Sequence, residues 1–371
     1  MKNKAWLYRH ARVSVCKIVL KAKACTMTTA IAVAETREPG VPMLLACGSG
    51  GNRFMTLVAE CAALRNRMAP GEDWCCACGV SAGALLAALV GTIPIGSLDE
   101  FNARFHRAKC QFENGDESSP FHSWIQFSPG FVNAVYALLW NKPSLFQGNK
   151  EFIRKEMQQH ELETSGRRVQ IGYFDEELQR YRTADSKWHD FKTLRDAVTA
   201  SCAIPVVMPP NPVSGHRARD GGVAHTIPCD EIIRWVESYR GRTRVHVDLL
   251  LSDGLDSPPR PSARATVVNA ALDLSNSIVW LNLQRDLRAL CSRLLCDTPG
   301  DLESVVMRLR NGQTRFFSRP WGTMRVVAPV DLTPRRAVRT SFRVPDKKIT
   351  DYLTRRGEEA VRRACLRRNK L

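Results

Sequence analysis

The chain is 371 residues long, enough to bury one large core or two smaller ones, and its 44% hydrophobic and 25% charged residues are ordinary for a globular protein. Its formal net charge of +17 is high and indicates attraction to anionic surfaces, either lipid headgroups or nucleic acid. Because no zinc finger, RNA-recognition signature or basic zipper accompanies this charge, no specific nucleic-acid partner is predicted.

The thirteen cysteines have no regular spacing, and no second cysteine pair with a nearby histidine completes a metal-binding pattern. The sequence therefore predicts no metal site and no cofactor. Scattered cysteines of this kind are typical of a reduced, intracellular protein, in which they pack as small hydrophobic residues.

Residues 1–40 form a basic segment with several Lys and Arg but no acidic residue before Glu35. This composition is typical of a targeting segment or of an unstructured basic arm. We therefore predict an N-terminal extension over residues 1–40, either disordered or a targeting segment, for example for mitochondria. A folded domain is predicted over residues 41–371.

The first predicted strand, Val41–Cys47, ends in the glycine-rich loop Gly48–Phe54 and is followed by a helical pattern. A glycine-rich loop at this place can present backbone N–H groups to an oxyanion or to a phosphate, because no Cβ blocks the approach. The loop lacks the closing Gly-Lys-Ser/Thr of a Walker A motif and the third glycine of the dinucleotide-binding fingerprint. We therefore favour an oxyanion site.

A second apolar run, Trp74–Cys78, leads directly into Gly79-Val-Ser-Ala-Gly83 and an apolar helical pattern. Strand, G-x-S-x-G and helix is the arrangement of a nucleophile elbow. Gly79 and Gly83 permit a turn tight enough to expose the Ser81 hydroxyl, and the helix that follows points its N-terminus at the reacting carbonyl. The alternative is a buried structural serine whose neighbouring glycines serve only packing.

The segment Ser118–Asn141 is uncharged and long enough to cross a membrane, but two prolines and a glycine interrupt it, so we exclude a membrane-spanning helix. It is rich in aromatic residues, among them Trp124, Phe127 and Phe131. Aromatic residues at this density belong either to the core or to a lid at a lipid interface.

The segments Arg168–Tyr173 and Gln179–Thr183 alternate polar and apolar residues and predict a β-hairpin, and Phe191–Ser201 predicts a helix. After a proline-rich crossing, Asp220-Gly-Gly222 places a carboxylate in a glycine turn, where it can point into a cleft. Many Asp-Gly-Gly sequences are turns without any further role.

The C-terminal third continues the alternation of strands and helices. The sequence predicts a strand at Arg244–Leu251, helix over Val267–Leu295, a strand at Met324–Val330 and a basic amphipathic helix at Ile349–Leu366. Strands that alternate with helices indicate an α/β fold of three layers, α/β/α, with a mostly parallel central sheet.

Three motifs in this order resemble the signature of patatin-like phospholipases: Ser49-Gly-Gly-Asn-Arg53, Gly79-Val-Ser-Ala-Gly83 and Asp220-Gly-Gly222. The segment Leu194–Pro205, followed by prolines and Asp-Gly-Gly, resembles the family as closely. The resemblance covers residues 42–366 and implies a patatin-like fold.

The resemblance also implies hydrolysis of acyl esters in phospholipids or related lipids, by a serine esterase of the phospholipase A type that works through an acyl-enzyme. Ser81 would be the nucleophile and Asp220 its base, in a dyad without histidine. A carboxylate can take this role if burial raises its pKa. The backbone amides of the oxyanion hole would be those of Gly50, Gly51 and Asn52, Gly79 and Gly83 would form the elbow, and Gly221 and Gly222 the turn after the acid.

The chain departs from the family pattern at Ser49 and Phe54, where the family usually has glycine. A bulky Phe54 at the start of the helix is expected to narrow the acyl cleft or to tilt the loop. Arg53 is interpreted as a residue that fixes the loop.

Two other functions remain open at this point. An α/β-hydrolase triad would use Ser81, Asp220 and His225, which occur in the required chain order. A patatin-like protein with impaired catalysis would bind lipid only, with Phe54 as the lesion.

The expected partners are a phospholipid or another acyl lipid as substrate and an anionic membrane surface contacted peripherally. The expected location is intracellular, in the cytoplasm or on a membrane surface.

Overall fold

The computed structural model describes residues 40–114, 153–204, 210–255, 267–313, 315–329 and 347–366, all within one compact unit, Pro39–Leu371. Residues 1–39 of the predicted extension and the aromatic segment Ser118–Asn141 lie outside the described residues. The N-terminal domain boundary and the lid therefore stay predictions.

One sheet contains all the strands of the described residues. They are β1 (Met43–Cys47), β2 (Cys76–Val80), β3 (Arg168–Asp175), β4 (Arg180–Asp185), β5 (Asn211–Val213), β6 (His216–Asp220), β7 (Val245–Leu250), β8 (Phe316–Arg319) and β9 (Gly322–Val327). Hydrogen-bonded neighbours follow the order β5-β6-β3-β2-β1-β7-β9-β8, and β4 also pairs with β3.

The centre of the sheet is parallel and its two ends are antiparallel. Strands β3, β2, β1, β7 and β9 pair in parallel, whereas β4 and β6 on β3, β5 on β6, and β8 on β9 run antiparallel. Every residue of β1, β2 and β7 is buried, because helices cover both faces of the sheet. The predicted three-layer α/β/α fold with a mostly parallel sheet is confirmed.

The helices of the described residues follow the predicted alternation with strands. They are α1 (Phe54–Arg65), α2 (Ala82–Gly91), α3 (Leu98–Asn114), α4 (Gln159–Ser165), α5 (Phe191–Ser201), α6 (Cys229–Tyr239), α7 (Val267–Leu290), α8 (Leu302–Arg310) and α9 (Lys347–Leu366). Three-residue 3-10 turns at Gly51–Arg53 and Gly221–Val223 follow strands β1 and β6, and a π-helical turn at Cys291–Leu295 extends α7.

Alternate side chains of β1 enter two separate cores, one on each face of the sheet. Leu45 belongs to the core formed with α1, α2, α3, α5 and α9, and Leu44 to the core formed with α6, α7 and α8. This division follows from the two-residue period of a strand, which sends successive side chains to opposite faces. No described helix is both long and apolar enough to cross a membrane.

The C-terminal helix α9 packs closely on α1, which begins directly after the glycine-rich loop. A Cβ atom on Gly357 of α9 would lie 2.6 Å from the carbonyl oxygen of Thr56 in α1, so a larger residue cannot fit without separating the helices. The antiparallel pair of β8 and β9 was not predicted, because the short segment Phe316–Arg319 shows no clear alternation.

Candidate active site

Ser81 lies between β2 and α2 in a backbone conformation that few residues adopt, with φ 57° and ψ −127°. The two glycines of the motif are required by close contacts. A Cβ atom on Gly79 would lie 2.1 Å from the Gly83 carbonyl oxygen, and one on Gly83 would lie 2.2 Å from that of Cys47. The turn is therefore as tight as the elbow motif predicts, and Ser81 is 5% exposed at its tip.

The strand register brings Asp220 to Ser81. Strand β2 pairs with the first part of β3, and its last residue Val80 lies opposite Gly172. Since β4 occupies the other edge of β3, β6 continues along the β2 edge, where Asp220 lies opposite Tyr173. The first residue after β2 and the last residue of β6 therefore meet, and the Ser81 hydroxyl donates a hydrogen bond to Asp220 Oδ2 at 2.7 Å.

Asp220 is a buried carboxylate, 5% exposed, whose other oxygen accepts the N–H of Gly222 at 2.7 Å. Burial raises its pKa to about 7, because desolvation outweighs the stabilising hydrogen bonds from Ser81 and Gly222. A pKa near the working pH is what a general base requires.

The turn after Asp220 must also pass close to the sheet. A Cβ atom on Gly221 would lie 2.6 Å from Val80 Cγ2 and 2.7 Å from the Gly172 carbonyl oxygen. Only glycine fits this position, which explains the first glycine of the Asp-Gly-Gly motif. The second, Gly222, supplies the N–H that orients the carboxylate.

Ser201 and Cys202, at the end of α5, hold the backbone of Ser81. The Ser201 hydroxyl accepts the Ser81 N–H at 2.8 Å and donates to the Gly172 carbonyl at 2.6 Å, and the Cys202 thiol donates to the Ser81 carbonyl at 3.4 Å. The sequence assigned no role to either residue. They lie in the segment Leu194–Pro205 that carries the resemblance, which was the one available signal.

The glycine-rich loop lies between the elbow and the acid turn. Its first two amides are bonded, that of Gly48 to the Leu250 carbonyl at 2.9 Å and that of Ser49 to the Thr226 carbonyl at 2.8 Å. A Cβ atom on Gly222 would lie 3.6 Å from that of Ser49. The next residues, Gly50, Gly51 and Asn52, begin the 3-10 turn, and the first N–H groups of a helix have no acceptor within it.

Ser252 and Asp253, which follow β7, hold the glycine-rich loop in place. The Ser252 hydroxyl donates to the Ser49 carbonyl at 2.8 Å, and a Cβ atom on Gly50 would lie 2.8 Å from Ser252 Cβ. Arg53 forms an ion pair with Asp253, which agrees with its interpretation as a loop-fixing residue. The sequence gave no signal for Ser252 or Asp253, because they follow an ordinary buried strand.

Phe54 is 1% exposed and belongs to the hydrophobic core around α1 and α2. Packing of its ring in the core accommodates this departure from the family pattern. The ring helps to anchor the start of α1, and with it the end of the glycine-rich loop.

His225 is joined to another acid. Its Nδ1 atom lies 2.9 Å from Asp286 Oδ1, and its ring packs edge-on against Tyr181 with the ring centroids 4.7 Å apart. The hydrogen bond that the Asp286 carboxylate accepts raises the pKa of His225. Because the Ser81 hydroxyl is bonded directly to Asp220, the described residues do not form the Ser-Asp-His arrangement.

The cysteines around the elbow are free thiols within the packed interior. Cys76 and Cys78 of β2 are fully buried in the core under α6 and α7, and burial raises the pKa of both thiols. No group of three or more metal-binding side chains occurs among the residues the structure describes.

Comparison with known proteins identifies the family of this chain. The chain is similar to the solved crystal structure of VipD from Legionella pneumophila, with 14% sequence identity, a TM-score of 0.33 and coverage of 85% of this chain and 67% of that one. No curated protein matches. The family model for patatin-like phospholipases matches residues 45–233, slightly more than half of the chain, and this match includes the glycine-rich loop, the elbow and the acid turn. The chain belongs to the patatin-like phospholipase family.

Proposed function

We propose that this protein is a serine esterase of the phospholipase A type, which hydrolyses acyl esters of phospholipids or related lipids through a Ser81–Asp220 dyad and an acyl-enzyme. Family membership supports lipid acyl hydrolysis in general. The observation that carries the finer proposal is the 2.7 Å hydrogen bond from the Ser81 hydroxyl to a buried carboxylate, at the tip of a strained strand-to-helix turn.

In the first half of the proposed reaction, Ser81 Oγ attacks the ester carbonyl carbon while its proton passes to Asp220 Oδ2. The negative charge that forms on the carbonyl oxygen is stabilised by the N–H groups of Gly50, Gly51 and Asn52. As the tetrahedral intermediate collapses, the carbon–oxygen bond to the leaving alcohol breaks, and Asp220 returns the proton to that oxygen.

In the second half, water repeats these steps in place of the alcohol. The water oxygen attacks the acyl carbon while Asp220 accepts a proton from that water. The bond between the acyl carbon and Ser81 Oγ then breaks. The proton returns to Ser81, and the fatty acid leaves. Each proton that leaves Ser81 or water passes through Asp220, whose pKa of about 7 suits both acceptance and return.

The test is covalent labelling with a fluorophosphonate, followed by mass mapping of the modified residue. We expect stoichiometric labelling of Ser81 and loss of both labelling and esterase activity in Ser81→Ala, with activity falling by about four orders of magnitude or more. Ser165→Ala is a matched control, because Ser165 is also buried and lies in another part of the fold. Lipid binding without labelling or turnover would contradict the proposal and favour a catalytically impaired, lipid-binding protein.

We further propose that the enzyme contacts anionic membranes peripherally, at a surface beside the acid turn. Val223, Ile278 and Leu281 are 39%, 45% and 66% exposed. Ile278 and Leu281 lie about one turn apart on α7, and Asn282 of the same helix donates to the Val223 carbonyl at 2.9 Å. We call these three residues the apolar rim. Exposed apolar side chains on the acid turn and on the helix bonded to it, on a chain with net charge +17, support contact with an anionic lipid surface.

The basic C-terminal helix α9 presents less positive charge to a membrane than its sequence suggests. Arg356 of α9 is 2% exposed, and Arg362 and Arg363 both pair with Glu359. The apolar rim is therefore the part of the described surface on which the membrane proposal rests. We also propose an intracellular location, in the cytoplasm or at a membrane surface.

A further inference from the structure

Helix α7 carries three polar side chains on one face that contact the segment after Asp220. Asn282, Arg285 and Asp286 are spaced three and four residues apart, which places them on the same side of a helix. All three lie outside the region matched by the family model, residues 45–233.

The first two side chains hold the acid turn. The Asn282 amide donates to the carbonyl oxygens of Gly222 and Val223, at 3.2 and 2.9 Å. Arg285 donates to the carbonyl oxygen of Ala224. Three successive carbonyl groups after the catalytic acid are thus bonded to one helix.

Asp286 holds the segment that follows. One carboxylate oxygen accepts the backbone N–H groups of Thr226 and Ile227, at 2.6 and 3.1 Å. The other lies 2.9 Å from His225 Nδ1 and 3.0 Å from Arg285 Nη2. Asp286 is 1% exposed, so this buried carboxylate is stabilised by the donors around it.

The segment held by Asp286 is bonded in turn to the glycine-rich loop. The Thr226 carbonyl accepts the N–H of Ser49 at 2.8 Å, and Ser49 directly precedes Gly50, the first of the oxyanion-hole residues. The N–H of Thr226 is bonded to Asp286 while its carbonyl is bonded to Ser49, so one peptide segment connects the helix to the loop. A displacement of Thr226 would therefore move the oxyanion donors relative to Ser81.

We propose that Asp286 is a positioning residue for acyl transfer. Through Thr226 it holds the glycine-rich loop in the position that its oxyanion donors need beside Ser81. This inference rests on the proposed esterase function. Donors of an oxyanion hole act only when they lie at hydrogen-bond distance from the developing charge, so a small displacement reduces the rate more than it reduces substrate binding.

The test compares two substitutions of nearly equal size. Asp286→Asn keeps one oxygen that can accept the Thr226 and Ile227 amides, whereas Asp286→Leu removes every acceptor. Asp185→Asn and Asp185→Leu form the matched control, because Asp185 is another buried carboxylate that accepts a backbone N–H, from Lys187 at 2.9 Å, as well as side-chain donors, and lies in the β3–β4 hairpin. Asp286→Ala replaces the leucine variant if that variant does not fold.

All variants are assayed on a soluble short-chain ester, with rates expressed per folded molecule, and by the rate of fluorophosphonate labelling. For Asp286→Leu we expect kcat and labelling to fall in parallel by about 10- to 100-fold, with KM changed by less than about threefold. Asp286→Asn should retain kcat within about fivefold of wild type, because one acceptor oxygen remains. The Asp185 variants should lose thermal stability but keep kcat.

Three outcomes would overturn the inference. Wild-type kcat in Asp286→Leu or in its alanine substitute would show that the loop does not depend on Asp286. An equal fall of kcat in Asp185→Leu would show a general effect of destabilisation rather than positioning. A wild-type protein without turnover and without labelling of Ser81 would overturn the esterase proposal and this inference with it, whereas the first two outcomes leave that proposal standing.

Discussion

The hydroxyl of Ser201 accepts the backbone N–H of Ser81 at 2.8 Å and so holds Ser81, the proposed nucleophile, in its positive-φ backbone conformation. The same hydroxyl donates to the carbonyl of Gly172 at 2.6 Å. Gly172 belongs to β3, the strand that pairs with both β2 and β6. One side chain therefore connects Ser81 to the strand that also positions Asp220, the proposed base.

Ser201→Ala is expected to leave the buried N–H of Ser81 without its acceptor. We expect the free energy of unfolding to fall by about 1–3 kcal/mol and kcat to fall by about tenfold, because the strained turn relaxes away from Asp220. The control is Ser165→Ala, since Ser165 also accepts a backbone N–H, from Arg167 at 3.1 Å, and donates to a carbonyl, that of Leu162 at 2.9 Å. It should lose similar stability in urea unfolding but no kcat. Equal activity in both variants would contradict the positioning role of Ser201.

The pH dependence of turnover should report the ionisation of Asp220. Because burial raises the pKa of this carboxyl to about 7, the base form predominates only above that pH. We expect kcat/KM for a soluble ester to rise with pH through about 7 and to level off above it.

His225→Ala is the control for this profile, because the pKa of His225 is also raised, by its bond to Asp286. The rising limb should remain, and activity should stay within about fivefold of wild type. A limb that disappears in His225→Ala but persists in Asp220→Asn would favour the histidine mechanism.

Asp220→Asn should make the protein inactive but, at pH 7 and above, more stable than the wild type. The folded-state pKa of Asp220 is about 7, above the ordinary value of 3.8 for this carboxyl, so between these pH values the folded state retains a proton that the unfolded chain has lost. Wild-type stability attributable to this group therefore falls as pH rises from about 4 to about 7. The asparagine variant carries no such dependence, and its amide can still bond to Ser81 and Gly222.

We expect the difference in free energy of unfolding between variant and wild type to be small near pH 4 and to grow to a few kcal/mol by pH 8, with about 4 kcal/mol as the upper bound from three pKa units. Urea unfolding at pH 5, 6, 7 and 8 measures it. A difference that does not change with pH would mean that the pKa of Asp220 is not raised.

Serine substitutions in the apolar rim should weaken contact with lipid vesicles. Ile278→Ser and Leu281→Ser together remove two exposed apolar side chains, and each contributes on the order of 1 kcal/mol or more if it enters a bilayer. We expect the affinity of the protein for anionic vesicles, measured by cosedimentation, to fall about tenfold or more. Turnover of vesicle lipid should fall with it.

Met307→Ser is the control, because Met307 is 46% exposed and lies on α8, which is part of neither the acid turn nor α7. It should bind vesicles as the wild type does. Vesicle binding by the wild type should also weaken as salt is raised, since surface charges are screened within about 8 Å at physiological ionic strength. If the rim variant and the control bind equally well, the rim is not the contact surface.

The sequence by itself determined the local chemistry. Strand, G-x-S-x-G and helix around Ser81 could be predicted, because tight turns require glycine and buried strands are short apolar runs. The helix Phe191–Ser201 was predicted with its observed bounds for a similar reason, since helical periodicity is a property of neighbouring residues. The central parallel sheet followed from the alternation of these elements.

Only the tertiary structure decided which distant residues meet. Ser81 and Asp220 are 139 positions apart, and their 2.7 Å contact depends on β6 pairing with β3 one residue beyond the end of β2. The roles of Ser201 and Asp286 arise in the same way, because each binds backbone groups of a segment remote in sequence. Composition and periodicity did not by themselves pair Ser81 with Asp220, and only the resemblance to the family implied that pair. Strand register depends on which faces are buried across the whole sheet, and no single segment specifies that.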